Sequence, residues 1–266
     1  MYKPKEYAIH LLLFILTIVT STLAGGEWVY GKHVLASGES ALTWEYFFKS
    51  MAFSIPFIGI LLIHELGHFF TSLYHKVRCT LPFFIPAWLG FIGAPSIGTF
   101  GAIIRMKGFV NSRIKFFDIG IAGPLAGFVV ALVVLIYGFT TLPPAEYIYQ
   151  IHPEYADPNF QGYGEDVLDF ELGGNMLFWA LGEVFADPDR LPAMSEVIHY
   201  PFLFAGYLAL FFTALNLLPI GQLDGGHVIF GLFPRWNQRI SLIAFTAFLG
   251  YAGLGIISPT QPVEES

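Results

Sequence analysis

The chain alternates between long uninterrupted apolar runs and short polar or turn-rich stretches. Five runs, at roughly 8–24, 50–74, 116–142, 200–220 and 240–257, are long enough, or nearly so, to cross a hydrocarbon core as helices. A sixth, 81–104, is as long but carries Pro82, Pro86 and Pro95 together with Gly90, Gly93, Gly98 and Gly101. Seven helix breakers rule out a lipid-facing helix. Non-helical backbone survives at membrane depth only against protein or a wet cavity. This stretch is therefore expected to be a re-entrant or interfacial loop, and its end, 99–106 (TFGAIIRM), reads as a strand. The expected fold is an all-α polytopic membrane protein with about five transmembrane helices, organised as a single membrane-embedded domain over 1–266.

Composition agrees. Apolar residues make up 55% of the chain and charged residues 12%, against about 25% in soluble proteins. Mean hydropathy is +0.62. A soluble globule cannot cover that much apolar surface with so few charges, which excludes a soluble enzyme, a disordered chain and a secreted disulfide scaffold. A lone cysteine, Cys79, excludes an intrachain disulfide, and no basic cluster suggests nucleic acid.

Charge gives orientation. If the N-terminus is cytoplasmic and only the five helices cross, the cytoplasmic segments are 1–7, 75–115 and 221–239. These hold ten of the thirteen Lys and Arg residues, as the positive-inside rule requires. Counting 81–104 as a span would scatter the basic residues over both sides. Lys3 and Lys5 before an apolar run ending in small residues also fit a signal peptide, the lesser reading of 8–24. The segment 143–200 then falls on the extracytoplasmic side, with eleven acidic residues, one Arg and six Pro. Within it, 175–185 has helical spacing and is expected to form a short interfacial helix.

Ionisable residues in apolar spans mark function by default. His64, Glu65 and His68 lie in the second run, Asp118 near the start of the third, and Asp224 directly after the fourth. His10, near the cytoplasmic end of the first, is expected to be structural. His64-Glu65-Leu66-Gly67-His68 is an H-E-x-x-H sequence. Histidines at i and i+4 share a helix face and can share one metal ion, with the glutamate placed as general base toward an activated water. A third protein ligand is needed. Cys79 sits in a basic stretch and reads as a small buried hydrophobe, which leaves Asp224, His227 and Asp118. Pro219 and Gly221 interrupt the helix before Asp224, and Gly225 and Gly226 allow close backbone approach. Asp118 is expected to pair with Arg105, Arg113 or Lys115. Gly120, Gly123 and Gly127 are expected to seat the third helix against the H-E-x-x-H helix.

HELGH, then Gly120-Ile-Ala-Gly-Pro-Leu-Ala-Gly127, then Asn216-Leu-Leu-Pro219 with Leu223-Asp-Gly-Gly226, together resemble the site-2 protease family of intramembrane zinc metalloproteases, peptidase family M50. The resemblance covers roughly 50–235, which it makes a peptidase core flanked by the first and last helices. It implies zinc, one ion per chain, on His64, His68 and Asp224, with Glu65 as general base. It implies that Asn216 engages substrate backbone. The stretch before the third helix is similar to the family's membrane-associated β-hairpin, so Thr99, Phe100, Gly101 and Ala102 are expected to offer an edge to an extended substrate. His227 is expected to lie behind the ligands. Many members insert a PDZ domain where 143–200 stands; this insert is too short, which resembles the PDZ-less branch. The implied partners are the bilayer and a membrane-protein substrate with an unwindable transmembrane segment, and the active site lies toward the cytoplasm. A divalent-metal transporter and a non-catalytic scaffold are the alternatives. The first would spread ligands across the membrane, and the second would carry a broken motif.

Overall fold

The computed structural model describes residues 4–108, 110–157 and 172–256. Part of the acidic insert, 158–171, and the chain beyond 256 lie outside these. Besides six short 3-10 helices, the described residues form seven α-helices and one small sheet: α1 (Pro4–Tyr30), α2 (Trp44–Tyr74), β1 (Phe83–Ala87), β2 (Gly98–Ile103), α3 (Arg113–Thr140), α4 (Met176–Phe185), α5 (Pro201–Asn216), α6 (Asp224–Leu232) and α7 (Asn237–Ile256). Three helices, within Tyr7–Tyr30, Trp44–Tyr74 and Arg113–Thr140, are long and apolar enough to cross a membrane. Their outward faces carry Leu11, Leu12, Ile15, Leu125, Val129 and Val133, all exposed. An apolar girdle of that extent belongs in lipid.

Local chemistry sets the ends. Thr43 caps α2, its hydroxyl accepting the Tyr46 N–H, and the Asn175 side chain accepts the Phe178 N–H at 2.7 Å to start α4. Pro201 opens α5 at a first-turn position that needs no N–H donor. The fourth apolar run breaks where Pro219 and Gly221 stand. Gly221 has φ +51, and the chain turns there before α6 restarts at Asp224. At sixteen residues α5 is shorter than the run 200–220 implies.

In lipid, apolar burial gives helices little net attraction, so shape and small residues decide packing. The bundle of α1, α2, α3 and α5 is centred on Phe53, Phe57, Leu135, Leu203 and Phe204, all buried. Phe53 stacks on Phe57 at 5.4 Å and on Phe204 at 5.1 Å. Gly206 receives Leu135 and Gly138 receives Leu203, each so closely that a methyl group would clash. Thr22 and Ser54 share a hydrogen bond of 2.7 Å between buried hydroxyls of α1 and α2, a link worth about 0.6 kcal/mol on average in membrane helices.

The segment 81–104 is a hairpin. β1 and β2 pair antiparallel, Phe83 opposite Ile103 and Ala87 opposite Gly98, with a bulge between Phe84 and Pro86. The strand expected at 99–106 is thus shorter and starts one residue earlier, and it has a partner the prolines obscured. The two ends of the hairpin meet: Thr80 N–H donates to Arg105 O at 2.9 Å and Lys107 N–H to Arg78 O at 2.7 Å. The hairpin lies along α1. His10 bonds Pro82 O at 3.0 Å at one end, Thr20 and Ser21 bond Gly98 O and Ile97 O midway, and Trp28 bonds Ser96 O at 2.7 Å at the other. From residue 10 to residue 28 α1 rises about 27 Å, so the hairpin follows α1 over most of its length.

Candidate metal centre

The i, i+4 spacing on α2 brings His64 and His68 onto one face, with ring centroids 4.9 Å apart and Nε2 atoms 3.1 Å apart. Asp224, the first residue of α6, completes the group. Its Oδ2 lies 3.3 Å from His64 Nε2 and its Oδ1 3.3 Å from His68 Nε2, one carboxylate oxygen per imidazole. His64, Glu65 and His68 are buried in an otherwise apolar helix. His68 Nδ1–H donates to Ile119 O at 2.6 Å. That bond uses the ring's proton on the outer side and leaves Nε2 bare toward Asp224, the arrangement that orients histidine toward a metal. Two imidazole nitrogens and a carboxylate are a zinc donor set, and the residues present fit one ion with an open fourth position.

The sequence supplies the close approaches this requires. On α3, Gly120, Gly123 and Gly127 form a seam. A methyl at Gly123 would overlap the His68 ring, one at Gly127 would press on His64, and one at Gly120 would meet His227 and the Asp224 carbonyl. Gly67 of α2 is seated just as tightly on Ala122. Gly225 and Gly226 lie against the backbone of Leu217, Leu218 and Gly221, so α6 folds back onto the turn that precedes it and Asp224 is held beside α2.

A cavity of about 250 Å³ opens at the group. It is lined by the three candidate ligands, Glu65, Asn216, His227 and the stretch Ala102, Ile103, Ile104 and Met106. Ile104 and Glu65 face the same space. The expected residues therefore gather around one space, with three exceptions. Thr99 is buried and builds the bulge, accepting Gly101 N–H at 2.9 Å and donating to Ile85 O at 2.9 Å. Phe100 is 73% exposed. Gly101, at φ +94, turns the strand. None of the three lines the cavity; the part of β2 that does begins at Ala102 and continues past its end.

Other residues found different partners. Asp118 bonds His75 Nε2 at 2.7 Å and not Arg105, Arg113 or Lys115. The antiparallel seating of Gly67 on Ala122 carries Asp118 to the level of His75, at the C-terminal end of α2. His227 stacks on Phe116 at 5.8 Å and stands outside the three-ligand group. Cys79 is buried, its thiol donating to Phe69 O at 4.0 Å. A second group of potential ligands, His152, Glu196 and His199, was not foreseen. Its histidines are 47 positions apart with no periodicity to join them.

The model of peptidase family M50 matches residues 52–258. "Probable zinc metalloprotease EGY1, chloroplastic" of Arabidopsis thaliana is 28% identical over 86% of this chain and 40% of its own length. The rice protein of the same name (Oryza sativa subsp. japonica) is 30% identical over 86% of this chain and 38% of its own. "Probable zinc metalloprotease EGY2, chloroplastic" of Arabidopsis thaliana is 29% identical over 73% of this chain and 31% of its own. The chain thus spans about two fifths, or less, of the length of these curated relatives. No solved structure matches it. With the family match covering most of the chain, and both histidines and the aspartate inside the matched region, the chain belongs to peptidase family M50.

Proposed function

We propose that this chain is an intramembrane zinc metalloprotease that hydrolyses peptide bonds within or near transmembrane segments of other membrane proteins. The observation that carries this reading is the convergence of His64, His68 and Asp224 in an apolar helix bundle, with Glu65 on the same cavity. The names of the curated relatives support it. His64, His68 and Asp224 are the residues that would hold one zinc ion per chain. When bound, zinc supplies Lewis acidity that activates water and polarises the scissile carbonyl.

The chain's own residues do the rest. Glu65 takes a proton from the attacking water and returns it to the leaving amine, the role of a general base that becomes a general acid. Asn216, at the end of α5, offers an amide to the substrate backbone from the cavity wall. A helical substrate hides its carbonyls in its own hydrogen bonds and must unwind locally. The backbone from Ala102 to Ile104 offers it a replacement partner by strand addition.

The proposed topology has α1, α2, α3, α5 and α7 crossing and the hairpin re-entrant, with the N-terminus and the site toward the cytoplasmic side. The distribution of basic residues supports it. The proposed organisation is one membrane-embedded peptidase domain with core 50–235 and the acidic insert 143–200 on the opposite side. A transporter is disfavoured because the three ligands stand at one depth and transport gives Glu65 no role. The test compares membrane proteomes of cells carrying wild type or Glu65→Gln. The variant should accumulate uncleaved single-span proteins; identical profiles would reject the reading.

A further inference from the structure

At the other end of the bundle the acidic insert builds a second cluster of the same kind. His152 and His199 have ring centroids 4.8 Å apart at 73°, against 4.9 Å and 71° for His64 and His68. Their Nε2 atoms are 3.1 Å apart, the same separation as in the first pair. Glu196 Oε2 lies 3.6 Å from His199 Nε2, as Asp224 stands beside His68.

The protons are committed outward. His199 Nδ1 is 2.8 Å from Val29 O, a carbonyl that can only accept, so Nδ1 carries the hydrogen and Nε2 is bare in the neutral ring. His152 Nδ1 is 3.0 Å from a Glu154 carboxylate oxygen, which likewise takes that nitrogen's hydrogen. With both rings neutral, two imidazole lone pairs then face each other. The Glu196 carboxylate is aimed at them: Tyr155 OH donates to Oε1 at 2.9 Å, while Oε2 is buried with no hydrogen-bond partner among the described residues. Converging lone pairs repel unless a cation lies between them, and a buried carboxylate oxygen without a partner is costly.

We propose that His152, Glu196 and His199 form a second metal site that takes a borderline divalent transition ion, zinc being the best match to two imidazoles and one carboxylate. The ion ties the segment around His152 to the segment 194–199 and, through Val29, to the end of α1. The cluster is distinct from the peptidase centre and stands independently of the proposed activity.

The test is metal content of the full chain in detergent after zinc loading and removal of excess. Wild type should hold about two ions per chain, and His152→Ala and Glu196→Gln about one, with melting followed to confirm folding. Because His152→Ala could loosen the insert, the converse variant His64→Ala/His68→Ala supplies an independent reading. It should keep about one ion, and adding His152→Ala to it should remove that one. Cobalt in this background should give a visible ligand-field spectrum that His152→Ala abolishes. One ion in wild type, lost in His64→Ala/His68→Ala and untouched by His152→Ala, would overturn the proposal and leave a pair bridged by a proton. One ion that follows His152 alone would instead uphold this site and sink the peptidase centre.

Discussion

The two histidine–carboxylate clusters invite comparison because their inner geometry is nearly the same and their settings are opposite. Tyr30, at the end of α1, meets Tyr46 near the start of α2 with ring centroids 5.4 Å apart. The Val29 contact of His199 therefore lies at that level. His64 is eighteen residues further along α2, about 27 Å away, close to the thickness of a hydrocarbon core. The cluster near the end of α2 has its histidines preset by helical spacing, adjoins Glu65 and opens on a cavity of about 250 Å³. The cluster in the insert is assembled from irregular backbone, with Tyr155 stacked on His152 at 4.9 Å and Tyr147 OH bonding His199 O at 3.2 Å. Similar donors thus suit different ends: a group beside a base and a cavity suits chemistry, and one that joins irregular segments, as proposed, suits fastening.

This contrast can be broken in graded ways. The largest effect should come from Asp224→Ala, which removes a ligand from the open site. Zinc affinity should fall by orders of magnitude with loss of detectable peptide cleavage, read by metal analysis and by hydrolysis of a membrane substrate in detergent. Undiminished zinc affinity would move the third ligand to His227. Next, Gly123→Ala pushes a methyl into the His68 ring. It should lower zinc affinity about 10- to 100-fold, the usual cost of disturbing the residues that orient a ligand, and unchanged zinc binding would show that α3 can yield. A smaller loss is expected for Ala102→Pro, which interrupts the strand at the cavity wall. Cleavage of a membrane-spanning substrate should drop about tenfold with zinc retained, whereas equal cleavage would remove strand addition. Gly101 is the poorer place for that test, since proline cannot adopt its positive φ and would break the hairpin itself. The gentlest probe alters no function: cysteines at positions 76 and 107 should be labelled from the same side of sealed vesicles, because Lys107 N–H bonds Arg78 O. Labelling from opposite sides would overturn the hairpin topology.

The contrast between the clusters also explains what could be read from the chain. The spacing of His64 and His68 encodes their geometry directly, and Pro219 and Gly221 announce the break before Asp224. The glycine seam was legible because glycines three and four positions apart have one structural use in a helix bundle. β1 was hidden by Pro82 and Pro86. Pro86 is tolerated where the ladder is already broken by a bulge, and no local pattern reveals that. The Asp118–His75 pair depends on how far α3 slides along α2, a tertiary quantity. The insert cluster was invisible for the same reason in stronger form: His152 and His199 meet only once two irregular segments have folded onto the end of α1.

The glycine seam has a mechanical consequence. Turning α3 by one residue, about 100° about its axis, would replace hydrogen atoms with side chains at the His64, His68 and His227 contacts. Helices α2, α3 and α6 are therefore keyed together like splines on a shaft, and they can neither roll nor slide independently. The hairpin is fastened to α1 by hydrogen bonds spread along its length, by Phe84 against Phe14, and by Gly98, which lies directly on the Ser21 backbone. In the proposed protease, an opening that admits a polypeptide from the bilayer would therefore leave the keyed block in place and move the elements around it.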